Sequence, residues 1–169
     1  MLETEKELKK FRDYVIKESR SNLTRLKKNS SKKLYNSLKG EYKLMANSFS
    51  LYFSMEDYGT FQDKGVNGKR SVYTTAYKFG TKMPPPKALD KWIVRKGIAP
   101  KDKQGRFISR KSLQFLIARS IYFNGIKPSL FFTKPFEAAY KQLPGELVAK
   151  YGLDAIKLFN STIEQPKKK

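Results

Sequence analysis

The sequence predicts an α+β protein, a small antiparallel sheet packed against several helices, with a long N-terminal helix and a long extended central loop. Three observations predict it. Apolar residues recur at helical spacing from Leu8 onward, a two-residue alternation replaces that spacing at Phe49, and helical stripes return beyond the Gly- and Pro-rich stretch 65–86. A single domain over 1–164 is expected, followed by a solvated basic tail at 165–169.

Thr4, with Glu7 three residues on, has the capping-box spacing and is expected to start the first helix. Leu8, Phe11, Val15, Leu23 and Leu26 form its stripe, while Lys9, Lys10, Arg12, Lys17, Arg20 and Arg25 fall mostly elsewhere on the wheel. Fraying is expected near Asn29-Ser30-Ser31, then a shorter helical piece to Leu38 that Gly40 closes. Phe49, Leu51, Phe53 and Met55 alternate with Ser48, Ser50, Tyr52 and Ser54, the pattern of a strand with one face in the core. Residues 39–47 are its expected hairpin partner, turning near Asn47-Ser48, and a helical turn at 58–64 follows.

Gly65, Gly68, Gly80 and Pro84-Pro85-Pro86 argue for an extended loop, with a short strand inside it at 72–79. Its aromatics Tyr73, Tyr77 and Phe79 favour a loop that orders against something. Pro86 suits the first turn of a helix to Lys96 with Ala88, Leu89, Trp92 and Ile93 as its stripe and Gly97 as its cap. A basic loop at 100–110 leads to a helix at 112–124 striped by Leu113, Leu116, Ile117 and Ile121. Leu130-Phe131-Phe132 reads as an apolar anchor. A last helical region is expected at 135–163, bent near Pro144-Gly145, with Leu147, Val148, Tyr151, Ala155, Leu158 and Phe159 on its buried face.

Charge dominates the composition. Lys and Arg number 36 against 15 Asp and Glu, a formal +21 in 169 residues. The central stretch from Lys64 to Lys111 is the most extreme, with Asp90 and Asp102 its only acids. Such a surface repels itself and makes most sense beside a polyanion, whether duplex DNA, single-stranded nucleic acid or an acidic protein. The 12 Phe and 10 Tyr argue that most of the chain folds. Neither Cys nor His occurs, which excludes disulfides, thiolate chemistry and the commonest zinc ligand and general base. The N-terminus lacks the apolar core of a signal peptide and no run reaches transmembrane length. A soluble intracellular protein, or one released on lysis, is expected.

Three function classes compete. For an enzyme, Glu56, Asp57 and Asp63 with Lys64 could build a nuclease metal site, though a solvated turn explains them as well. A serine would need a lysine base, and neither a Ser-x-x-Lys in a suitable context nor a phosphate loop is present, so no catalytic residue, metal or cofactor is expected. For a polyanion binder, Lys69, Arg70, Lys101, Lys103, Arg106, Arg110 and Lys111 are the candidate contacts, with no module for reading base sequence. For an assembly protein, the aromatic loop and an exposed Leu130-Phe131-Phe132 would supply contacts, with Tyr73, Tyr77, Phe79 and Met83 as the candidate subunit interface. The competing explanation is that these aromatics fill the protein's own core.

The runs Tyr58-Gly-Thr-Phe-Gln-Asp-Lys-Gly65, Phe79-Gly-Thr-Lys-Met-Pro-Pro-Pro86 and Ala88-Leu-Asp-Lys-Trp-Ile-Val-Arg-Lys-Gly-Ile98 carry a further signal. With Ala118-Arg119-Ser120-Ile121, Gly125-Ile-Lys-Pro128 and Phe131-Phe-Thr-Lys-Pro-Phe136, their order resembles the minor tail or tail-completion proteins of tailed phages. The resemblance spans roughly 58–136. It implies a non-enzymatic virion protein of the neck or upper tail, assembled in the host cytoplasm. It further implies a homo-oligomeric ring, hexameric or dodecameric, with portal, adaptor or tail proteins as partners and packaged double-stranded DNA in its channel, and no membrane. Its matched positions are structural: Gly65, Gly80, Pro84 to Pro86, Trp92, Pro128 and Pro135. High charge and long basic loops set this chain apart from the pattern. A sequence-independent DNA-binding protein of a phage or mobile element is the alternative.

Overall fold

The structure, a computed structural model, describes residues 2–45, 49–143 and 145. The expected turn at Asn47-Ser48, the bend at Pro144, the stripe from Leu147 to Phe159 and the basic tail lie outside the described residues. The class is α+β: α1 (Leu2–Arg25), α2 (Lys33–Ser37), β1 (Lys39–Leu44), β2 (Phe49–Ser54), α3 (Tyr58–Lys64), a 3-10 turn (Pro86–Leu89), α4 (Asp90–Lys96), α5 (Arg110–Asn124) and α6 (Thr133–Lys141). The described residues form two compact units, one from those up to Gly59 together with those between 130 and 145, the other from Thr60–Ser129.

In the first unit, α1 buries Leu8, Phe11, Val15 and Leu23, with Ser19 buried on the same stripe. The helix begins at Leu2, so Thr4 lies inside it and is not its N-cap. It ends at Arg25, earlier than the expected fraying near Asn29. The Lys28 amide donates to the Leu23 carbonyl at 2.8 Å and the Lys27 amide to the Thr24 carbonyl at 3.0 Å, with Lys27 at φ 54°. That is a Schellman stop with lysine where glycine is usual, hence its weak trace in the sequence. Leu26, past the stop, is exposed. Arg20 ties α1 to α2, donating from Nε to the Tyr35 carbonyl at 3.1 Å and from Nη2 to the Leu38 carbonyl at 3.0 Å.

β1 and β2 pair antiparallel with Gly40 opposite Phe53 and Tyr42 opposite Leu51. The alternation read from β2 holds: Leu51 is buried, Phe53 and Met55 pack on the core, and Tyr52 faces outward. Gly40 does not close a helix. It sits in β1, where a Cβ would approach Arg12 Cγ to 2.6 Å and the Phe53 ring to 3.0 Å. The core gathers Phe11, Phe53, Phe132 and Phe136, with edge-to-face centroid distances of 5.4 Å for Phe11–Phe136 and 5.3 Å for Phe53–Phe132. Phe131 and Phe132 are fully buried, so the expected exposed anchor is core instead. Edge-to-face contact adds about 0.5–1.5 kcal/mol per pair beyond area burial, which favours the interior for such a cluster.

No helix among the described residues is long and apolar enough to cross a membrane.

Candidate functional site

All of the predicted contact residues fall in the second unit. Its frame is a close approach of two backbone segments. Gly65, at φ 78°, ends α3, and the chain then runs antiparallel to the exit of α5. Val66 and Ile126 exchange amide-to-carbonyl bonds of 2.8 Å each. At Gly68 a Cβ would lie 2.3 Å from the Phe123 carbonyl oxygen and 2.4 Å from the Gly125 nitrogen. Only a residue without a side chain permits that contact.

Asn67 organises the loop that follows. Its amide donates to the Tyr77 carbonyl at 2.8 Å, its side-chain Nδ2 donates to the Thr75 carbonyl at 2.9 Å, and its Oδ1 accepts from the Tyr73 amide. The Phe79 amide returns to the Asn67 carbonyl at 3.2 Å. The strand expected at 72–79 is absent among the described residues. An isolated bridge from Asn67 to Lys78 replaces it, and Val72 is 85 % exposed. The candidate interface aromatics order against their own unit. Tyr77 meets Phe61 edge-to-face at 4.9 Å, Tyr73 Oη donates to the Asn124 carbonyl at 3.1 Å, and Phe79 lies 6.2 Å from Tyr122. These three and Met83 are half-buried.

Pro86 opens a 3-10 turn that passes into α4, which Gly97 closes at φ 61°. Ile93 is buried and Trp92 half-buried, whereas Ala88 is exposed and off the expected stripe. The basic loop that follows is a small hairpin, bridged at Lys101 and Phe107 with Gly105 at φ 79° in its turn. Asp102 holds it. The carboxylate accepts the Gln104 and Arg106 amides at 2.9 Å each and pairs with Arg106 Nε at 2.9 Å. The Arg106 amide, more than the guanidinium and the Gln104 amide, keeps this carboxyl below the usual aspartate range. Ser109 caps α5 by accepting the Ser112 amide at 3.2 Å, so the helix starts at Arg110, two residues before the sequence suggested. Leu113, Gln114 and Ala118 form its buried face, and Leu116, expected there, is exposed. Gln114 is buried because its Nε2 donates to Asp90 Oδ1 at 2.7 Å.

The predicted cations form two groups. Lys101, Lys103 and Arg106 occupy the hairpin, and Arg110 and Lys111 start α5 just after it. Arg110 reaches Asp90 at 3.7 Å, and Lys101 Nζ lies 4.9 Å from the Phe107 ring centroid. Lys69 and Arg70 instead lie at the C-terminal end of α5, where their amides donate to the Tyr122 and Phe123 carbonyls. Arg119 joins them there, its guanidinium 5.8 Å from the Phe123 centroid. The sequence reading missed Arg119, although it falls one helical turn before Phe123, and it missed Asn67, next to Gly68, and Asp102, three residues before Gly105.

From 60 to 129 the chain has 16 Lys and Arg, 3 Asp and no Glu. Each acid is engaged internally: Asp63 is buried, Asp90 meets Gln114 and Arg110, and Asp102 holds the hairpin. The unit therefore presents positive charge without a compensating acidic rim, an arrangement suited to holding phosphates or carboxylates. Asp63, the buried one, has its side chain inside the fold. Among the described residues, no three Asp or Glu side chains form a group able to hold a metal ion.

Comparison with protein-family models, curated proteins and solved structures found no match for this chain.

Proposed function

We propose that this protein is a non-enzymatic structural subunit of a tailed-phage virion, a ring-forming neck or tail-completion component whose basic unit faces a polyanion. The observation that carries the reading is the role of the residues behind the family resemblance. Gly65, Gly125 and Pro128 build the backbone frame of the basic unit: a Cβ at Gly65 would lie 2.6 Å from the Ile126 carbonyl oxygen and 2.7 Å from Pro128 Cδ. Glycines at these close approaches fix the segment from which the cation-rich surface projects.

Light scattering and negative-stain microscopy at low and high salt, with and without a portal assembly, test it. Rings formed alone or on the portal are the expected result. A chain that stays monomeric with the portal present while retarding DNA strongly would overturn the ring reading in favour of a sequence-independent DNA-binding protein.

A further inference from the structure

Three cations converge on two adjoining rings at the end of α5. Lys69 Nζ lies 5.6 Å from the Tyr122 centroid, and the Arg70 and Arg119 guanidinium carbons lie 4.8 and 5.8 Å from the Phe123 centroid. The rings themselves meet edge-to-face at 5.3 Å. Backbone bonds from Lys69 to Tyr122, 3.1 Å, and from Arg70 to Phe123, 2.8 Å, fix the two loop cations against the helix. Among the described residues no carboxylate forms an ion pair with any of the three. Cation–π contact contributes about 0.5–1 kcal/mol at an exposed site, but it neutralises no charge. The cluster keeps its mutual repulsion until an anion arrives.

We propose that Lys69, Arg70 and Arg119 form a binding site for the phosphate backbone of duplex DNA, separate from the hairpin cations. This deepens the polyanion part of the function proposed above and rests on that reading only for the sign of the ligand. The rings argue for a duplex over a single strand. A single-strand site needs open aromatic faces for unpaired bases. Here Tyr122 is enclosed by Phe79 and Phe123, its hydroxyl is taken by the Gly80 and Thr81 carbonyls at 3.3 Å, and the cations lie over the rings. The rings seat cations and leave little for a base.

The test measures fluorescence anisotropy of a short labelled duplex, an oligo-dT of equal length and a labelled polyglutamate, each across a salt series with the full unassembled chain. Duplex binding is expected to be tighter than that of the other two. Arg119→Gln is expected to flatten the dependence of log affinity on log salt by about 0.9, and the triple Gln variant at 69, 70 and 119 by about 2.7. Arg119→Lys is expected to restore the slope, and Phe115→Ser, which alters an exposed ring on the same helix, to leave it unchanged. An unchanged slope in the folded triple variant would overturn the proposal, as would tighter binding of oligo-dT or equal binding of polyglutamate. Because no ring is needed for this measurement, missing rings with the slope change intact sink only the assembly reading. Rings with an unaltered slope sink only this site.

Discussion

Gly68→Ala perturbs the contact on which the basic unit is built. The new methyl group would sit 2.3 Å from the Phe123 carbonyl oxygen, 2.4 Å from the Gly125 nitrogen and 2.6 Å from the Phe123 carbonyl carbon. All three are backbone atoms, so no side-chain rotation relieves the clash, and the 65–68 segment must move away from the end of α5. Overpacking of this kind destabilises by about 1–3 kcal/mol. The same movement strains the Val66–Ile126 pair of backbone bonds, each contributing about 1 kcal/mol. A loss of about 3 kcal/mol in all would lower the melting temperature by roughly 6–12 °C in a chain of this size. Trp92 is the only tryptophan and belongs to this unit, so its fluorescence during urea or thermal unfolding reports the right part of the molecule. Gly80→Ala is the control, since nothing lies within 4 Å of a Cβ there, and it should change stability by less than about 0.5 kcal/mol. If Gly68→Ala unfolded within about 0.5 kcal/mol of the parent, the close-approach argument would be refuted.

Three further outcomes are expected. Asn67→Ala removes the acceptor of the Tyr73 amide and the donor to Thr75, and should speed hydrogen exchange at Tyr73 about tenfold, the equivalent of 1.4 kcal/mol; unchanged exchange would show that the loop is ordered by its aromatics alone. Phe132→Ala empties the centre of the aromatic cluster and should destabilise the first unit by about 3–5 kcal/mol in urea titration, whereas a surface-like loss below about 0.5 kcal/mol would contradict its burial. Asp102 is held below the ordinary aspartate range, so its support of the hairpin is complete above about pH 4 and fades as pH falls through the lowered value. The Arg106 amide shift, followed by NMR through acid, should titrate with a midpoint below that of an unperturbed aspartate. A midpoint at or above it would exclude the capping role.

Local periodicity determined most of the secondary structure. Alternation at Phe49 to Met55 specified β2 and its inward face, and the stripe of Leu8, Phe11, Val15 and Leu23 specified α1, because each pattern depends only on residues near in sequence. Composition likewise determined that the stretch 60–129 is cationic, since no fold changes the ratio of its bases to acids. Tertiary contact decided the rest. Leu130-Phe131-Phe132 has the same apolar character whether it is an exposed anchor or a core, and only the meeting of Phe132 with Phe53 makes it the latter. Lys27 stops α1 in a conformation that its residue type does not announce. Gln114, a polar residue, is buried because Asp90 stands 24 positions away in the chain yet within hydrogen-bond reach. The grouping of Lys69 and Arg70 with Arg119, across some 50 residues, follows from the Gly68–Gly125 approach. Proximity of that kind is set by where two backbones can close on each other, and no periodicity within one segment encodes it.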